Sequence, residues 1–115
     1  MAIICNITTA NDHDYYRLFL YTGSPSGNPI SLVGNSMVMK LRHHASDIEA
    51  AKILSTDTGE IFIVEDGAFT VRMSQAFLLT MAPGEYVHSL IRTTADGQQL
   101  EVWSGKLTHA MGPSR

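Results

Sequence analysis

Residues 86–108, Tyr86 to Thr108, read YVHSLIRTTADGQQLEVWSGKLT. Two runs rich in β-branched and aromatic residues flank Thr94-Ala95-Asp96-Gly97. Asp-Gly between such runs is a strong hairpin signal, because Gly takes φ > 0 at little steric cost. A two-residue type I′ loop at Asp96-Gly97 sets Thr93 opposite Leu100, Arg92 opposite Glu101, Ile91 opposite Val102 and Leu90 opposite Trp103. Both faces of that hairpin carry apolar groups, which implies cover on more than one side. Leu100 and Val102 share a parity with Ser104 and Lys106 that Leu107 does not, so a one-residue bulge is predicted at Ser104-Gly105.

The same period-2 reading extends toward the N-terminus. Glu60–Val64 and Ala68–Met73 read as a second hairpin around Glu65-Asp66-Gly67, with Phe69, Val71 and Met73 on one side. Ser74 is placed to cap a brief helix in which Phe77, Leu78 and Met81 plug one end of the core. In Ser36–His43, Met37, Met39, Leu41 and His43 face inward while Lys40 and Arg42 face out. Ser46-Asp47-Ile48-Glu49 matches a capping box and admits a short helical turn. In Tyr15–Thr22 the alternation favours cover through Tyr16, Leu18 and Leu20, leaving Phe19 and Tyr21 on the other face in need of a neighbour. Residues 23–29 read as a surface loop, Ala2–Thr8 as an opening strand, and Met111–Arg115 as a frayed tail. About seven strands separated by turn signals point to an all-β fold. The expectation is a single antiparallel β-sandwich domain over residues 1–115, with one or two short helical turns.

A chain of 115 residues is long enough for one core without disulfides or a structural metal. A formal charge of −3 with scattered lysines and arginines offers no positive field for a phosphate backbone, so no nucleic-acid partner is expected. Cys5 is the single cysteine, which excludes a disulfide framework. Neither a signal peptide nor a membrane-length apolar run is read, so no membrane partner is expected.

Asp57-Thr58-Gly59 is the sharpest catalytic motif, because aspartic proteases present a carboxylate on such a turn. Polar Ser55-Thr56 before it and Glu60 after it argue for a plain β-turn instead. His43 and His44 are adjacent and point to opposite faces of a strand, and His13, His88 and His109 are isolated, so no metal or other cofactor is expected. The aromatic residues allow a carbohydrate or host-surface binding module as an alternative, since flat rings stack on sugars. Surplus apolar residues on second faces, six methionines and few charges make protein assembly the more economical reading. Phe19, Tyr21, Leu90 and Trp103 are the candidate interface residues.

One residue order adds a resemblance. Leu32-Val33-Gly34 precedes Met37-Val38-Met39-Lys40-Leu41-Arg42, and Gly59-Glu60-Ile61 follows. Then come Pro83-Gly84-Glu85-Tyr86-Val87-His88-Ser89-Leu90, Asp96-Gly97 and Trp103-Ser104-Gly105-Lys106-Leu107-Thr108. This order resembles small bacteriophage-encoded immunoglobulin-like domains, and is similar to the amino-terminal domain of phage baseplate upper proteins and to short tail-region proteins of phages and prophages. The resemblance implies an immunoglobulin-like, non-enzymatic virion part without active-site residues. Its implied partners are tail, baseplate or fibre proteins, or further copies of itself as a homo-oligomer. Its implied location is the host cytoplasm during assembly and then the virion.

Overall fold

The computed structural model describes residues 3–21, 30–32, 34–44 and 46–113; the loop read at 23–29 lies outside them, as do Thr22 and the last two residues of the tail. Its elements, in chain order, are β1 (Ile7–Ala10), β2 (Tyr15–Leu20), β3 (Ser36–Arg42), β4 (Lys52–Ser55), β5 (Ile61–Glu65), β6 (Ala68–Met73), α1 (Gln75–Leu79), β7 (Gly84–Thr93) and β8 (Gln99–Ala110). The strands form a five-stranded sheet, β1-β8-β7-β3-β4, and a three-stranded sheet, β2-β6-β5. Both sheets feed one hydrophobic cluster. Met37, Met39, Leu41, Tyr86, Leu90 and Leu107 enter it from the first sheet, and Ile61, Phe69, Val71 and Met73 from the second. The β-rich expectation holds, and the purely antiparallel one does not: β1 runs parallel to β8, with Ile7 beside Leu107. These two strands lie at opposite ends of the chain, so no tight turn constrains their direction.

The β7–β8 hairpin forms with a different loop. Gly97 N–H donates to the Thr94 carbonyl (2.9 Å) and Thr94 N–H to the Gln98 carbonyl (2.8 Å). Gly97 has φ +92°, so Ala95-Asp96-Gly97 is a three-residue loop with its glycine in the left-handed region. The longer loop slips the register by one, placing Arg92 opposite Leu100 and Ile91 opposite Glu101. A bulge at Val102 then absorbs the slip and restores Leu90 opposite Trp103. The bulge that the parity of Leu107 required is therefore real, but sits upstream of Ser104-Gly105. It buries Val102 and Trp103 together and carries Leu107 and His109 inward.

β2 is turned over relative to expectation. Tyr16, Leu18 and Leu20 are 64%, 51% and 77% exposed, whereas Tyr15, Phe19 and Tyr21 pack against the core. Cross-strand register decides this. Phe19 pairs with Phe69, and directly paired residues share a face, so the buried Phe69-Val71-Met73 set draws Phe19 inward.

Ser74 caps α1 as predicted, its Oγ accepting from Phe77 N–H at 3.2 Å. Leu78 and Met81 are buried, with Phe77 packed against the same cluster. The capping box at Ser46–Glu49 forms no helix. The Asp47 carboxylate accepts from His44 N–H (3.1 Å), a local bond that competes with helix formation, and the residues that follow enter β4 beside β3. The opening strand starts later than read. Ile3 and Cys5 bond to the Ser104 backbone at 2.9 and 2.8 Å, and β1 proper begins at Ile7. In the tail, Gly112 is buried and its N–H donates to Asn11 Oδ1 at 2.8 Å, so order extends beyond Met111.

Candidate functional site

The four residues singled out as an interface separate in the structure. Leu90 is 0% and Trp103 4% exposed, so both belong to the core and cannot present a docking surface. The bulge at Val102 is what turns Trp103 inward, where its ring lies 4.7 Å from that of Phe19 and 5.6 Å from that of Phe69. Phe19 and Tyr21 are half-buried and, with Trp103 and Cys5, line an open cleft of about 240 Å³. Cations already lie over these rings: Arg17 Cζ is 5.2 Å from the Phe19 centroid, and Arg92 Cζ 5.5 Å from that of Tyr21. Burial pushes the Cys5 thiol up in pKa, with nearby Arg17 acting weakly the other way. Trp103, at 4% exposure, leaves little ring surface for stacking on an apolar sugar face.

Ile3, Ile4, Ile48, Ile53, Leu79 and Met111 are exposed at other places, while a cluster of exposed apolar side chains lies on the outward face of β2-β6-β5. Tyr16, Leu18 and Leu20 on β2 are joined there by Phe62 and Val64 on β5, which are 63% and 52% exposed. Register makes the patch continuous, since Leu18, Thr70 and Phe62 form one row across the three strands and Leu20 sits opposite Ala68. Opposite charges mark its ends, with Arg72 beside Tyr16 and Glu65 beside Ala68. These side chains expose on the order of 500 Å² together, near the top of the range for the largest patch on a monomer. None of the five was named as an interface residue from the sequence. The signal that finds them is the alignment of Phe19 with Phe69, which fixes which side of β2 faces out.

The titratable groups do not converge. Among the described residues no three His, Cys, Asp or Glu side chains are placed to hold a metal ion. Asp57 is exposed on the β4–β5 turn, where Thr58 Oγ1 bonds to Ser55 Oγ (2.9 Å) and to the Glu60 carboxylate. The His43 ring packs 4.4 Å from that of Tyr86. His109 is held between Thr9 Oγ1 (2.8 Å) and the Leu78 carbonyl (2.9 Å). His88 is buried with neither ring nitrogen in a hydrogen bond of good geometry, and burial lowers its pKa against the opposing effect of the nearby Lys106 backbone. Among the described residues no helix is long and apolar enough to cross a membrane. No protein-family model and no curated protein matches the chain.

Proposed function

We propose that this chain is a non-enzymatic assembly module with an immunoglobulin-like β-sandwich fold, which docks in a phage or prophage virion onto tail, baseplate or fibre proteins. The observation that carries the docking role is the outward apolar face of β2-β6-β5. Exposing Leu18, Leu20 and Phe62 side by side is unfavourable unless a neighbour covers them. Two features support the immunoglobulin-like part. The division into β8-β7-β3-β4 and β2-β6-β5 follows the distribution of strands between the two sheets of a variable-type domain. Tyr86, at the start of β7, donates its hydroxyl to the Ala82 carbonyl at 2.5 Å, two residues before His88, which is the arrangement of a tyrosine corner. The placement in a virion rests on the sequence resemblance.

The test uses the purified chain, its Leu18→Ser/Phe62→Ser variant and the products of its adjacent genes. Sedimentation and co-purification are expected to show self-association, or a stable complex with a tail-region protein, that the variant loses while its far-UV spectrum is unchanged. A chain that stays monomeric and binds none of those products overturns the reading.

A further inference from the structure

The outer face of the five-stranded sheet carries a second surface of different chemistry. Lys40 and Arg42 of β3, Ser89 of β7, and Ser104 and Lys106 of β8 surround Val87 in an open groove of about 660 Å³. Lys40 is in register with Ser89 and Ser89 with Ser104; Arg42 is in register with Val87 and Val87 with Lys106. From strand spacings, the Cα atoms of these three residues lie about 7 Å apart along the strands and about 10 Å across them.

The chain does not neutralise them. The one ion pair among the described residues joins His13 to Asp12, and no carboxylate lines the groove. Arg42 Nε donates to the Asp47 backbone carbonyl at 3.0 Å, which orients the guanidinium, and among the described residues no carboxylate lies within ion-pair distance of it. Glu85 and Glu101 lie on neighbouring positions of β7 and β8, outside the lining. In a chain of net charge −3 with eight lysines and arginines, three of them in one concavity are a local reversal of sign. Their mutual repulsion is relieved by an anionic occupant. The groove continues into a second, of about 290 Å³, which shares Lys40, Arg42 and Ser89 and runs over Val38 and Ile91 to Thr93. From Val87 to Thr93 the floor is about 20 Å long, the length of some six extended residues.

We propose that this groove binds an acidic peptide segment of a partner protein in extended form, with carboxylates at Lys40, Arg42 and Lys106 and an apolar side chain over Val38 and Ile91. A free inorganic anion fills only the cationic end. No Phe, Tyr or Trp lines either part of the groove among the described residues, and His88, which borders it, is buried, which disfavours both a sugar and a stacked nucleotide base. The site goes beyond the docking role of the apolar face and lies on the other sheet, so the two readings stand or fall separately.

The probe is a fluorescein-labelled hexapeptide of glutamate and leucine, titrated with the intact chain by fluorescence polarisation and by amide chemical shifts. The expected result is saturable binding that weakens several-fold as salt rises from about 0.05 to about 0.3 M. Shifts are expected to centre on Lys40, Ser89 and Lys106. Lys40→Gln/Lys106→Gln should weaken binding about tenfold or more with an unchanged melting midpoint, whereas Leu18→Ser/Phe62→Ser should bind the peptide normally. Absence of saturable binding, undiminished binding by the charge variant, or tighter binding of a single-stranded oligonucleotide than of the peptide would each overturn the proposal.

Discussion

Gly105 of β8 lies so close beneath the N-terminal segment that a Cβ built on it would stand 2.1 Å from the Cys5 carbonyl oxygen. The atom met is backbone, held by the Cys5 N–H bond to Ser104, so it cannot swing aside as a side-chain tip would. Gly105→Ala is therefore expected to destabilise the chain by about 2 kcal/mol in urea titration, in the range of overpacking substitutions. Amide exchange at Cys5 and Ser104 should accelerate selectively. Gly97→Ala meets no neighbour and acts only through its positive φ, so its cost should be nearer 1 kcal/mol. Equal stability of Gly105→Ala and the parent chain would remove the close-approach account.

The reversal of β2 makes opposite demands on adjacent residues. Phe19 packs against both Phe69 and Trp103, so Phe19→Ala is expected to cost about 3 kcal/mol. Leu18 points to solvent, and Leu18→Ser should change the stability of the isolated chain by no more than about 0.5 kcal/mol. Leu90→Ala, fully inside, should cost about 2–5 kcal/mol. Thermal unfolding of the three variants side by side decides the matter, and a costlier Leu18 than Phe19 substitution would contradict the orientation found.

These residues also show how much the sequence made legible. Where one side of a strand is clearly the more apolar, as with Met37-Met39-Leu41 and Phe69-Val71-Met73, the buried set reads directly from parity, although His43, read with the first set, lies past the end of β3 and is exposed. β2 alternates two apolar sets, and local pattern favours Tyr16-Leu18-Leu20, the wrong one; only its register against β6 selects Phe19 and Tyr21. The same applies to the hairpin, because Asp-Gly serves both a two-residue and a three-residue loop, and one residue of slip displaced the pairs at Arg92 and Ile91. Both faces of the hairpin read as apolar, which puts Leu90 and Trp103 among the interface candidates, and the bulge at Val102 that buries Trp103 has no signature in its own residues. The cationic groove was invisible for a related reason: Lys40, Arg42 and Lys106 converge through register across three strands.

His88 ties stability to pH. Leu41 and Gly105 are its cross-strand neighbours; neither ring nitrogen makes a hydrogen bond of good geometry, and burial outweighs the opposing pull of the nearby Lys106 backbone, so its pKa lies below the ordinary value of 6.5. On acidification the unfolded chain takes up a proton at about pH 6.5 that the folded chain still refuses. The unfolded state then binds more protons, and stability must fall as the pH drops from 6.5 toward the lowered folded value, while above 6.5 this contribution is complete. His88→Leu removes the titrating group and should flatten the fall in stability below about pH 6.5. Urea midpoints at several pH values measure this, and an unchanged slope in the variant would show that His88 does not govern it.

His109 joins three elements that are distant in sequence. A backbone carbonyl can only accept, so the bond to Leu78 fixes the ring proton on Nε2 and leaves Nδ1 of the neutral imidazole to accept from the Thr9 hydroxyl. Both residues are buried, at 2% and 3% exposure, so water cannot replace either partner. Thr9→Val keeps the shape and deletes the donor, stranding Nδ1 in the interior at an expected cost of about 1–3 kcal/mol. Thr9→Ser keeps the donor and loses only a methyl group, with an expected cost of about 1 kcal/mol or less. The ordering matters more than the sizes, because a purely steric role for Thr9 predicts that serine, which leaves a small void, is the worse replacement. Because β1 is the edge strand alongside β8, the loss in Thr9→Val should also appear as faster amide exchange along Ile7–Ala10. A Thr9→Val chain as stable as Thr9→Ser, with β1 equally protected, would leave the hydrogen bond without energetic consequence.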